Sequence, residues 1–207
     1  MSDRLNALQK YLPAGSEELV GQMLKGYGFE LRIARPRRSK FGDFRPGDKL
    51  RPSKISVNAN LNPYAFLITL IHEFAHLRAF GRFGLKIKPH GKEWQQQYRE
   101  LAQPFLAADI FPADLRVEFA RSLQKGAASS ASDESLYRCL KKYDRPRKDS
   151  LVALEELPQG YYFRIGDKTF VKGAKSRKRF KCQNLQNKRY YMVHPLADVT
   201  PLKLNHE

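Results

Sequence analysis

His72-Glu73-Phe74-Ala75-His76 sets two imidazoles four residues apart with a carboxylate between them. On a helix, positions i and i+4 share a face, so both rings can reach one Zn²⁺ while Glu73 projects beside it toward a water. Zinc lowers the pKa of such a water, and Glu73 can take its proton and later deliver it to a leaving amine. The chemistry implied is hydrolysis, with Glu73 as general base.

A catalytic zinc needs three protein ligands and an open position. His90, between Pro89 and Gly91, follows a loop with Gly81 and Gly84 where the chain can turn back, and is the preferred third ligand. A metzincin would need glycine at position 79 and histidine at 82, where this chain has Ala79 and Arg82. A glutamate-ligand zincin would draw on a later helix, for which Glu93 and Glu100 are the alternatives. The expected cofactor is one Zn²⁺ per chain on His72, His76 and His90.

HEFAH, twelve intervening residues and then Pro89-His90-Gly91-Lys92-Glu93-Trp94 together resemble the SprT-like metalloprotease domain, the family of bacterial SprT proteins and the eukaryotic DNA-protein crosslink protease Spartan. The stretch from Ser39 to Leu61 resembles that family's basic loop and strand before the zinc helix. The likeness covers about residues 19–125. It implies an α+β chain with a zincin-like (minigluzincin-type) metalloprotease domain, the same three ligands and base, protein substrates, and action on proteins at or crosslinked to DNA. Many relatives end in a four-cysteine zinc ribbon, whereas Cys139 and Cys182 stand far apart without companions.

The elements that must position these residues follow from periodicity. Leu5, Leu8 and Leu12 fit one helical stripe, and Ser16 is a candidate N-cap for a second helix carrying Leu19, Val20, Met23 and Leu24. Phe29, Leu31 and Ile33 alternate with polar neighbours, as do Ile55, Val57 and Ala59, so two strands are expected with a basic loop between them. Pro63 opens a long helix through the zinc motif to Gly81 or Gly84. Helices from about His90 and from Ala113 to Leu123 follow. The Ala/Ser-rich run Gly126–Asp133 is the expected linker between a domain at 1–125 and a basic C-terminal domain at 135–207. The latter reads as one short helix, Ser135–Lys142, and four or five short strands in a small barrel or curved sheet.

The chain has 207 residues, 42% hydrophobic and 12% aromatic, which excludes wholesale disorder. Two cysteines exclude a disulfide framework and fit a reducing cytoplasm, and no apolar stretch is long enough for a membrane span. With 38 Lys+Arg against 21 Asp+Glu the net charge is +17, which points to a polyanion, expected to be nucleic acid and DNA in particular. The excess concentrates in two windows. One, before the zinc motif, holds Arg35, Arg37, Arg38 and Lys40; the other holds Lys172, Lys175, Arg177, Lys178, Arg179 and Lys181 and no acid between 168 and 189. Phe170, Phe180, Tyr190 and Tyr191 interleave with the second window, either to fill a core or to stack on unpaired bases. Joint engagement by both domains is the expectation. The alternative is a nucleic-acid-binding protein whose zinc site is structural or vestigial.

Overall fold

The computed structural model describes residues 2–37, 40–126, 133–144 and 150–202. Contacts divide the chain into two units, Met1–Asp144 and Arg145–Glu207. Helices dominate the first and strands the second, an α+β arrangement.

In the first unit, α1 (Ser2–Gln9) and α2 (Glu17–Leu24) precede β1 (Phe29–Ala34), β2 (Gly42–Arg45) and β3 (Ser53–Asn58), followed by α3 (Pro63–Phe83), α4 (Lys92–Ala107), α5 (Ala113–Gln124) and α6 (Glu134–Lys141). Ser16 stands just ahead of α2, but its hydroxyl donates to the Pro13 carbonyl (2.7 Å) and does not cap the helix. The three strands order as β1-β3-β2, with β1 parallel and β2 antiparallel to β3. Strand β3 is therefore central, and the edges are β1 and β2, the latter lying within the stretch between the two expected strands that the sequence reads as a basic loop.

Ile55 and Val57 of β3 pack with Phe66, Leu67, Leu70, Ile71 and Phe74 of α3 in the main core. These are the residues whose 3.6-residue period marked α3 as a core helix. The helix begins where Asn62 accepts from the Ala65 amide (2.9 Å) with Pro63 behind it, and ends at Gly84, beyond Gly81.

The domain boundary differs from the one expected. Leu136, Cys139 and Leu140 of α6 are buried in the first unit's core, because the strongly amphipathic helix finds its apolar partner there. Asp114 of α5 accepts from Cys139 (3.4 Å), Lys142 (3.1 Å) and Tyr143. Asn62 also donates to the Leu140 carbonyl (2.9 Å) and the Asp144 carboxylate (2.7 Å). Thus α6 belongs to the first unit and the division falls after it; residues 127–132 of the supposed linker lie outside the described residues.

The second unit contains β4 (Val152–Ala153), β5 (Tyr162–Ile165), β6 (Lys168–Ser176), β7 (Arg179–Asn184), β8 (Tyr190–Val193) and β9 (Asp198–Pro201). They form one open antiparallel sheet, order β4-β9-β5-β6-β7-β8. Among the described residues the sheet does not close into a barrel, and β9 adds a strand beyond those the alternation predicts. Leu154, Leu157, Phe163, Phe170, Cys182 and Val199 fill its small core. Cys139 and Cys182, both buried and unbridged, fall in different units. No helix among the described residues is long and apolar enough to cross a membrane.

Asn62→Ala removes a helix cap and leaves the Leu140 carbonyl without its donor, so a loss of about 2–3 kcal/mol is expected. Urea unfolding followed through Trp94, the single tryptophan, measures it.

Candidate metal centre

His72 and His76 share the face of α3 turned toward α4, and Trp94 from the first turn of α4 lies against them. Its ring centroid is 4.7 Å from that of His72, 5.1 Å from that of His76 and 4.6 Å from that of His90. Trp94 is thus a buried plate on which all three imidazoles rest. Tyr98, one turn on, meets His72 edge-on at 5.5 Å, and Phe44 of β2 stacks parallel to His76 at 6.1 Å. Trp94 and Tyr98 follow His90 at four-residue spacing, which on a helix puts both on the face that meets His72.

His90 arrives by a tight turn. The Gly91 amide donates to the Lys88 carbonyl (2.8 Å), Pro89 takes the second position and His90 the third, with φ of 59°. That is the pattern of a type II turn, whose third position is ordinarily glycine or asparagine. Holding a histidine there costs about 1 kcal/mol or more.

The result is convergence of three ring nitrogens. His76 Nε2 lies 3.1 Å from His90 Nε2, which lies 3.3 Å from His72 Nε2, and one nitrogen from each ring falls within 4.8 Å of the others. Ligands on one tetrahedral zinc at 2.0–2.1 Å stand about 3.3 Å apart, so the donor set fits that ion. All three rings are held neutral, as metal ligands must be. Burial drives His72 well below the usual imidazole range, with His76 and His90 adding to the effect. Burial and His90 bring His76 down to about 4, and burial lowers His90. His72 Nδ1 is buried without a protein hydrogen-bond partner, so packing against Trp94 and Tyr98 orients this ring.

The trio opens on a cleft of about 610 Å³ whose walls include Phe44, Phe80, Leu85 and Ile87, and whose acids are Asp43 and Glu73. Asp43 is engaged by Lys40 (2.6 Å) and Arg45 (3.0 Å). Burial alone would raise its carboxyl, but those two hydrogen bonds outweigh burial and hold it low. Glu73 has no such cations bonded to it. Burial first and Asp43 second push it up to about 8, against weaker opposition from Arg37, Lys40 and the Phe44 amide hydrogen bond.

Strand β2 can approach this closely only because position 42 is glycine. A β-carbon there would stand 2.4 Å from Glu73 Oε1 and 2.7 Å from Thr69 Cγ2. Gly42 thereby lets the edge strand lie on the carboxylate and bring the Phe44 amide to it.

Residues 30–117 match the model of the SprT-like family. This segment is similar to the SprT-like family. It contains the three imidazoles, Glu73, strands β2 and β3 and helices α3 and α4; α6 and the second unit lie beyond the match. No curated protein and no solved structure matches the chain.

Of the basic residues singled out beside the SprT-like motif, Arg35 is exposed and Arg38 lies outside the described residues. Arg37 is turned inward, donating to Asn58 (2.7 Å) and Ser56 (3.1 Å) on β3, and so acts as a brace. Lys40 sits at the cleft in its pair with Asp43. In the second unit Lys175, Arg177, Lys178 and Arg179 are exposed around the β6–β7 hairpin, and Lys181 is exposed with its amine 4.4 Å from the Tyr190 ring centre. Lys172 corrects the expectation: it is 4% exposed, donates to the Glu155 (3.3 Å) and Leu157 carbonyls, and lies 4.0 Å from the Phe180 ring. The alternation that turns Phe170 inward turns Lys172 inward too. Phe170 is core and Phe180 half-buried, whereas Tyr190 is 60% exposed and Tyr191 36%.

In metal-free protein the unfolded chain takes up protons below about pH 6.5, while the folded His76 waits until about 4 and His72 stays neutral far below its usual range. Glu73, raised to about 8, holds its proton in the folded state and opposes this, but the three lowered histidines outnumber it, so below about pH 6.5 the unfolded state binds more protons and stability falls as pH drops toward 4. Thermal melting of zinc-free protein from pH 7.5 to 4.5 checks this; the slope should shrink in His76→Gln.

Proposed function

We propose that the chain is a zinc-dependent peptidase of zincin-like architecture that hydrolyses peptide bonds in proteins at or crosslinked to DNA, in the cytoplasm. The observation that carries the reading is the convergence of three neutral imidazoles beside a carboxylate on one open cleft. Bound zinc would supply Lewis acidity, acidifying water and polarising the scissile carbonyl.

The remaining work falls to this chain's own groups. An extended substrate fits along the edge of β2, where backbone groups not used by β3 face outward. Phe44, Phe80, Leu85 and Ile87 would receive an apolar side chain and exclude water around the reacting bond. Glu73, which the charge of a bound zinc would keep ionised, takes a proton from water at its carboxylate and returns it to the leaving amine. Asp43 is tied up by Lys40 and Arg45, which leaves Glu73 as the base. The rival reading, a structural zinc in a nucleic-acid-binding protein, is disfavoured because structural sites are closed by a fourth protein ligand. Here three imidazoles front a cleft, and no fourth candidate joins them among the described residues.

DNA is the proposed partner of the second unit. Lys181, Tyr190 and Met192 project from one face of β7 and β8, with Lys181 opposite Met192 and Gln183 opposite Tyr190 in register. Cations there would meet phosphates and Tyr190 an unpaired base, giving binding without sequence preference.

Glu73→Gln should retain zinc and lose at least about a hundredfold in cleavage of a DNA-bound protein; equal cleavage by both forms sinks the peptidase reading. Fluorescence anisotropy with single-stranded DNA should weaken steeply with salt, and Lys181→Ala and Tyr190→Ala should each weaken it further, while Lys172→Met leaves it unchanged. Binding indifferent to salt would remove the phosphate argument.

A further inference from the structure

The strained third ligand has a dedicated support. Gln95, on the first turn of α4, donates from Nε2 to the His90 carbonyl at 3.1 Å. Because φ at His90 is 59°, that carbonyl belongs to a peptide whose orientation only the left-handed conformation provides, and an extended His90 would lose the bond. The Gln95 side chain is seated from its other side by Gly126, at the end of α5, with φ of 64°; a β-carbon there would lie 2.8 Å from Gln95 Oε1 and 3.0 Å from Nε2. Thus a turn conformation, a hydrogen bond and a glycine contact all fix the same amide. The neighbouring Gln96 instead bonds Glu100 on the exposed face (3.0 Å), so the link to His90 is a property of position 95.

We propose that Gln95 is a positioning residue for the metal centre: by holding the His90 backbone in its left-handed turn, it keeps the His90 imidazole where its Nε2 meets those of His72 and His76, and Gly126 leaves the room that keeps Gln95 there. Gln95 touches neither the metal position nor the substrate cleft and acts only through His90. The inference rests on the metal-centre reading but not on peptidase activity. Partners of ligand residues commonly contribute about 10- to 100-fold to metal affinity, and a loss in that range is expected here.

The test is zinc affinity of the full chain, by competition with a chromophoric chelator, for wild type, Gln95→Met, His90→Ala and the double variant, with Gln96→Met as control. Methionine keeps the length and helix preference of glutamine without the donor, and Gln95→Glu supplies a second variant should Gln95→Met fail to fold. Gln95→Met should weaken zinc about 10- to 100-fold while Gln96→Met stays within about twofold of wild type. In the His90→Ala background the same change should have no further effect, which a general loss of structure would not reproduce. Wild-type affinity in Gln95→Met, or an equal loss with and without His90, overturns the proposal. Failure of wild type itself to bind zinc overturns the metal centre as well, so the two failures are told apart.

Discussion

Three imidazole nitrogens, two of them within 3.1–3.3 Å of the third, impose the constraint on which the first unit depends. Such a cluster cannot tolerate protons on all its rings, so it must be neutral, and neutrality is secured by burial. Burial in turn requires α3 to be apolar through most of its length, which is why its sequence reads as a core helix that happens to carry two histidines and a glutamate. The third ring must come from elsewhere in the chain. It does so through a turn that holds histidine in a left-handed conformation, with the cost offset by Trp94 beneath the ring and by the bond to its backbone carbonyl.

The second constraint is the proximity of strand β2 to Glu73. A carboxylate buried beside Asp43 is electrostatically uncomfortable, and the Phe44 amide, Arg37 and Lys40 moderate that cost without forming an ion pair with it. Arg37, anticipated as a phosphate contact, serves this inner arrangement through Ser56 and Asn58. Basic residues near the zinc motif are therefore part of the cleft's electrostatics, and the proposed contact with a polyanion rests on the exposed cations of the second unit.

What was legible in the sequence was local. His72, Glu73 and His76 declare themselves because helical spacing alone puts them on one face, and His90 because Pro89 and Gly91 mark a turn after a helix stop. Strand β2 is not legible locally because its four residues begin at Gly42 and run into Pro46 and Gly47, the composition of a loop, and its identity depends on pairing with β3. The allegiance of α6 was likewise hidden: Leu136, Cys139 and Leu140 announce an apolar stripe, but which core it joins is decided by Asn62 and Asp114, far away in the chain. Lys172 shares the inward phase of Phe170, so strand alternation, not net charge, decides where it points. The family match stops at residue 117 and leaves the second unit outside it.

X-ray absorption at the zinc edge on the full chain loaded with one zinc tests the centre most directly. The account predicts a first shell of nitrogen and oxygen at about 2.0–2.1 Å with the scattering of three imidazoles, falling to two in His90→Ala. Sulfur at about 2.3 Å, or an imidazole count unchanged by loss of His90, would contradict it.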